Sequence, residues 1–210
     1  MPRYPPSDPL LQPPDSACNR PVSANASALP FRRPADEESA LIAAALAGDG
    51  DAYARLIRPY ESVAYRVAAA VAGSAADGEE AVQNAYVKAH RSLGRFRRGA
   101  PFRPWLLRIV VNEARNVRRS ELRHVRLAAR ATELRDPVFE ERENREAVTE
   151  VLAGLRRLSQ QDRVALALRY FAELQDSDAA EVAGVSKGAY RVRVMRALRR
   201  LRAELEERDD

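Results

Sequence analysis

DSDAAEVAGVSKGAYRVRVMRALRRLR, residues 176–202, has the proportions of two helices set around a tight turn. The pattern predicts a short helix over about 177–183, a turn at Gly184 and Val185, and a second helix opening at Ser186. Ser186 suits an N-cap, because its hydroxyl can accept from the orphan amides of the next turn. At about 100° per residue, Tyr190, Val194, Ala197, Leu198, Leu201 and Leu205 share one arc. Lys187, Arg191, Arg193, Arg196, Arg199 and Arg200 fall outside it. The second helix can therefore pack on its neighbours and still present a basic face. In a helix-turn-helix that helix enters the major groove with its first turns near base edges. Lys187 and Arg191, one turn apart, are the candidate base readers, since Arg can bind guanine bidentately. Arg193, Arg196 and Arg200 suit phosphates, which carry affinity without sequence information. Tyr190 lies on the apolar arc and reads as core. Many helical hairpins share this turn pattern, so it does not decide function by itself.

Moving toward the N-terminus, Leu152, Leu155, Leu158, Val164 and Leu168 form an apolar series in two helices broken near Ser159. Residues 131–145 (ATELRDPVFEERENR) are acidic, contain Pro137, and read as a linker. Charge divides along the same lines. Residues 91–130 hold twelve Arg and two acids, 131–155 hold seven acids and three Arg, and 187–202 hold Lys187 and six Arg without an acid. Two basic blocks around an acidic stretch have the form of two footprints for a polyanion. A solvated helix face in an Arg-rich proteome would give the same composition, since Arg outnumbers Lys 33 to 2.

From Asp36 to about Arg130 the pattern is again helical. In EEAVQNAYVKAHRSL (79–93), Val82, Ala85, Tyr86, Ala89 and Leu93 share an arc, while Glu80, Gln83, Asn84 and Val87 look outward. GRFRRGAPFRPW (94–105) is a loop with four Arg, two prolines and three aromatics. The helix after it is expected over about 104–123, with Pro104 in a favoured first-turn position. Phe102, Trp105, Leu106, Ile109 and Val117 take its apolar side; Arg108, Asn112, Arg115 and Arg119, spaced four, three and four apart, form one stripe. A basic stripe entered through an aromatic, basic loop suits single-stranded DNA, where cations follow the backbone and rings take unstacked bases. The competing reading makes Phe96, Phe102 and Trp105 core plugs; periodicity favours that for Trp105 and leaves the loop open.

These segments account for all but the first 34 residues, which carry nine of the thirteen prolines and read as a disordered or polyproline-like leader. The whole is expected to be all-α: a Pro-rich extension 1–35, a helical domain 36–130, the linker 131–145 and a helical domain 146–207. With 210 residues, 46% hydrophobic and 31% charged, the composition is that of a globular protein, and the net charge is +5. No run approaches the roughly 18 apolar residues of a spanning helix. The N-terminus lacks the apolar core of a signal peptide, so a cytoplasmic location without membrane insertion is expected. One cysteine, Cys18, excludes an internal disulfide, and His90 and His124 lack a Cys or His at zinc-ligand spacing. No Gly-rich phosphate loop and no acid–base or nucleophile pairing stands out. No enzyme, cofactor or metal is expected.

At these residues the chain resembles the extracytoplasmic-function sigma factors of bacterial RNA polymerase, over about 38–205. DGEEAVQNAYVKAHR (77–91) looks like the family's polymerase-binding helix, with Asp77, Val82, Gln83 and Tyr86 in place. FRRGAPFRPWLLRIVVNEARNVRR (96–119) is similar to the segment that melts and reads the minus-ten promoter element. LRRLSQQDRVALALRYFAEL (155–174) resembles the start of the fourth sigma domain, and 176–202 its minus-thirty-five reader. The resemblance implies core-polymerase contacts at Asp77, Glu80, Gln83 and Asn84. It implies melted-strand contacts at Arg97, Phe102, Arg103, Arg108, Asn112, Arg115 and Arg119. Upstream duplex contacts would fall to Ser186, Lys187, Arg191, Arg193 and Arg196. Core RNA polymerase, promoter DNA and an anti-sigma factor are the implied partners.

The chain also departs from the family pattern. Asn84 replaces an acid and His90 a Trp; Gly99, Ala100 and Pro101 replace an Asp-Ser-Ala run; Ala189, Tyr190 and Val192 stand where Thr, Val and Ser are usual. The promoter sequence therefore cannot be copied from relatives. The rival reading is a stand-alone helix-turn-helix regulator, which would bind duplex without polymerase and has no need of a melted-strand surface. A polymerase-binding protein that does not read DNA is a third.

Overall fold

Local caps set the boundaries of the N-terminal helices. The computed structural model describes residues 35–97, 99–128 and 154–209. The leader with Cys18, the linker 131–145, Leu152 and the side chain of His124 lie outside the described residues. α1 spans Ala35–Leu46. α2, Gly50–Ile57, starts at Asp49, whose carboxylate accepts from the Ala52 amide at 3.0 Å. A 3-10 turn, Arg58–Tyr60, leads into α3, Glu61–Ala72, which ends at Gly73 with φ +101°. α4, Ala75–Ser92, is capped by Ser74, whose hydroxyl accepts from the Asp77 amide at 3.1 Å. α5 runs Phe102–Ala128, opening two residues before the expected Pro104. Pro104 still sits in the first turn, where its missing N–H has no intrahelical partner to lose.

α3, α4 and α5 pack against one another. Small side chains allow it: Ala64, Val67, Ala68, Val71, Ala81, Ala85 and Ala89 are fully buried. At the α3–α4 crossing the backbones nearly touch, since a Cβ on Gly78 would stand 2.7 Å from the Ala69 Cα.

The C-terminal helices follow the same logic. A helical segment 154–157 precedes Ser159, whose hydroxyl accepts from the Asp162 amide at 3.2 Å and opens α6, Gln160–Leu166. α6 loosens into a π-helical turn over Ala167–Phe171, with the Ala172 amide reaching back to the Ala167 carbonyl. α7 spans Asp176–Ala183 and stops at Gly184 with φ +76°, a left-handed residue of the kind that closes helices. Ser186 caps α8, Lys187–Asp209, by accepting from the Ala189 amide at 3.2 Å. Tyr190 is the keystone of this lobe, 0% exposed, with its hydroxyl donating to the Ala165 carbonyl at 3.1 Å. Burying a ring of that size contributes about 2–3 kcal/mol.

Every regular element among the described residues is helical, so the all-α class holds. Among them no helix is long and apolar enough to cross a membrane. The two helical lobes also touch. α3 packs on α6 and the π-helical turn, and α5 packs on α7.

Candidate nucleic-acid interface

α8 displays Ser186, Lys187, Arg191 and Arg196 to solvent, as its periodicity requires. Arg191 is not free: its Nε donates to the Asp176 carboxylate at 2.6 Å, and Arg169 approaches the other oxygen at 3.5 Å. The hydrogen bond from Arg191 is the main reason the Asp176 carboxyl is held below its ordinary range. Arg193 is half-buried. Arg200, expected on the phosphate-facing set, is instead bound by the Asp162 carboxylate of α6. Asp162 is 4% exposed, and a buried carboxylate needs a cation more than a surface arginine needs a phosphate. Arg200 thus has one terminal nitrogen committed to its own lobe, while its side chain stays 61% exposed.

The α5 stripe is present and faces the C-terminal lobe. Arg108 donates from Nη2 to the Glu181 carbonyl at 2.8 Å and to its carboxylate at 3.0 Å. Arg103 donates from Nη2 to the Ala172 carbonyl at 2.7 Å, and burial lowers its guanidinium pKa. Arg115 is half-buried and lowered first by burial, then by Arg193 and Arg119. Arg193 of α8 is thus near enough to Arg115 of the α5 stripe for the two cations to repel. Asn112, Arg119 and Arg97 are exposed.

Phe102 is corrected from a strand contact to a core residue. It is 1% exposed, and its ring stands 5.8 Å from Tyr60, 5.6 Å from Phe96 and 5.3 Å from Trp105. Four rings packed this way bury large apolar area and gain edge-to-face attraction. The loop question left open by the sequence is answered in favour of the core for Phe96 as well, which is 8% exposed. Trp105 is half-buried at the cluster's rim.

On α4, Glu80, Gln83 and Asn84 face solvent beside the exposed Val87. Asp77 does not share that face fully. Its carboxylate lies near Glu121 of α5, whose carboxyl is raised mainly by burial and then by the Asp77 charge. Its Oδ2 is buried and has no partner among the described residues. This acid pair lies beside Arg118, Arg156 and Arg163 at the contact between the lobes. Arg156 donates from Nε to the Gly73 carbonyl. Arg163 is only 3% exposed, and burial, then Arg118, pushes its pKa down to about 10. His90 lies edge-on against Tyr53, centroids 4.8 Å apart.

Sequence reasoning missed Asp176, Glu181 and Asp162. Each is an acid on the C-terminal lobe whose partner is a cation 15, 73 or 38 residues away. The only local hint was the acid at the first position of a short helix preceding an arginine-rich one.

Two family models match the chain. Sigma-70 region 2 covers residues 56–124 and Sigma-70, region 4 covers residues 149–201. The ECF RNA polymerase sigma factor SigM of Mycobacterium tuberculosis is 31% identical over 166 residues, 78% of this chain and 82% of that protein. The ECF RNA polymerase sigma factor BldN of Streptomyces coelicolor is 32% identical over 182 residues, covering 81% of this chain and 68% of that protein. Among solved structures, CnrH in complex with the cytosolic domain of CnrY superposes with a TM-score of 0.64 at 26% identity, covering 83% of this chain and 99% of that one. The sigma factor RpoE of Bartonella quintana, at 22% identity and a TM-score of 0.58, shares the fold over 81% of this chain and 95% of that one.

Proposed function

The chain belongs to the extracytoplasmic-function sigma factors of RNA polymerase, and from that premise we propose how its surfaces divide the work. As a sigma factor it binds core RNA polymerase and directs initiation at promoter DNA. The outward face of α4, with Glu80, Gln83 and Asn84 and with Asp77 at its inner edge, binds core polymerase. The α5 stripe of Asn112, Arg115 and Arg119, extended by Arg97 and by Arg103 and Arg108, holds the melted minus-ten strand. α8 reads the minus-thirty-five duplex through Lys187 and Arg191, with Ser186, Arg193 and Arg196 on its backbone. The domains divide as 36–130 and 146–207, with 1–35 as an extension and 131–145 as the linker.

The observation that carries this division is the pair of basic helix faces, one on α5 and one on α8, in a single chain. A stand-alone regulator would need only the second, and the match to sigma region 2 disfavours it. The chain acts in the cytoplasm, and makes and breaks no covalent bond itself. CnrH has been solved with the cytosolic domain of CnrY, and an anti-sigma protein is proposed as this chain's further partner. In vitro transcription with core polymerase and a promoter library tests the reading. New start sites sharing an upstream and a downstream motif are expected. A clean duplex shift without polymerase, with no transcription, would replace it by the regulator.

A further inference from the structure

The reading of α8 as the duplex-contacting helix leaves open how a long, exposed arginine chooses one base. Arg191 is 60% exposed along its side chain, yet its Nε is fixed at 2.6 Å from the Asp176 Oδ2. Asp176 is the first residue of α7, across the turn from α8, so its backbone is set by the helix-turn-helix frame and not by α8 itself. Its carboxylate is 22% exposed and holds Arg169 on the other oxygen at 3.5 Å, so it is itself gripped from two sides.

A guanidinium offers five N–H donors in a rigid plane. With Nε committed to Asp176, the terminal Nη1 and Nη2 have no partner among the described residues. Those two nitrogens are a fork that matches O6 and N7 of guanine in the major groove. Fixing Nε also fixes the plane of that fork and removes rotamer freedom that binding would otherwise have to remove. Exposed ion pairs of this kind contribute little to folding, so stability alone is a weak account of so close a contact.

We propose that Asp176 is a positioning residue for base recognition: it holds Arg191 so that its two terminal nitrogens read one guanine of the upstream promoter duplex. This rests on α8 being the reader, and the test separates the two claims. Asp176 touches no base in this scheme; it acts through Arg191.

The experiment uses full-length chain with core polymerase and a promoter library randomised across the upstream element. Base preference is scored at each position for wild type, Arg191→Ala, Asp176→Ala, Asp176→Asn and the Asp176→Ala/Arg191→Ala double variant. Arg191→Ala should lose a guanine preference at one position, by about fivefold to a hundredfold for a bidentate contact. Asp176→Ala should flatten preference at that same position and leave the others alone, and Asp176→Asn, which keeps a neutral acceptor for the Arg191 Nε, should do so less. The double variant should do no more than Arg191→Ala. Thermal melting of Asp176→Asn, which keeps size and removes charge, checks that the fold is intact. Guanine preference retained in an Asp176→Ala variant that melts as wild type does, while Arg191→Ala loses it, overturns the positioning role and leaves α8 as the reader. No position affected by Arg191→Ala overturns the positioning role together with Arg191 as a base reader.

Discussion

Tyr190 and Arg191 are chain neighbours with opposite tasks: one drives its hydroxyl into the lobe, the other reaches solvent. Tyr190→Phe leaves the ring in place and removes the donor to the Ala165 carbonyl. A loss of about 1 kcal/mol is expected in denaturant unfolding, and no change at all would mean the hydroxyl bond is not made. For Asp176, the Arg191 hydrogen bond comes first among the causes that depress its carboxyl pKa. A depressed carboxyl contributes stability that is present above the ordinary carboxylate range and is lost as pH falls through the lowered value. NMR titration of that carboxyl in Arg191→Ala should show it moving up toward 3.8, and an unmoved titration would dissolve the pair. Tyr190 was legible in the sequence because its place depends only on helical period. The tie of Arg200 was not, because Asp162, which holds one of its terminal nitrogens, is 38 residues distant.

At the level of elements, α7 and α8 were readable to within a residue because their punctuation is chemical. Gly184 supplies the left-handed stop and Ser186 the cap. The π-helical turn after α6 was not readable, because an extra residue in one turn leaves no signature in composition. Leu168 within it and Leu174 just after it are both buried. The contact of α3 with α4 was also hidden: one glycine gives no period, and only the assembled helices reveal that Gly78 lies against the Ala69 backbone. Gly78→Ala would put a Cβ 2.7 Å from the Ala69 Cα, which cannot rotate away. Separating two closely packed helices costs about 1–3 kcal/mol. Thermal unfolding should therefore fall by several degrees, and an unchanged midpoint would show that the crossing yields freely.

The whole molecule couples its lobes through Arg103 and Arg108, two of the arginines proposed above to hold nucleic acid. Arg108 bonds to Glu181, and the resemblance that named Arg108 gave no sign of this, since family motifs describe each lobe by itself. Glu181→Gln removes the competing carboxylate from an exposed pair worth up to about 1 kcal/mol. Binding of the free chain to single-stranded promoter DNA should tighten by about fivefold or less at low salt, as read by fluorescence anisotropy. Unchanged binding would mean that the pair does not compete.

That internal contact also changes how an ionic-strength titration must be interpreted. For an open cationic groove, the slope of log affinity against log salt counts the phosphates neutralised, at about 0.7 per contact on a single strand. Here added salt screens the Arg108–Glu181 attraction along with the attraction of Arg108 for DNA, so the two losses partly cancel. On the proposed reading of α5, the wild-type slope will undercount its phosphate contacts, and Glu181→Gln should steepen it. An arginine with a carboxylate already beside it enters the titration as less than one charge.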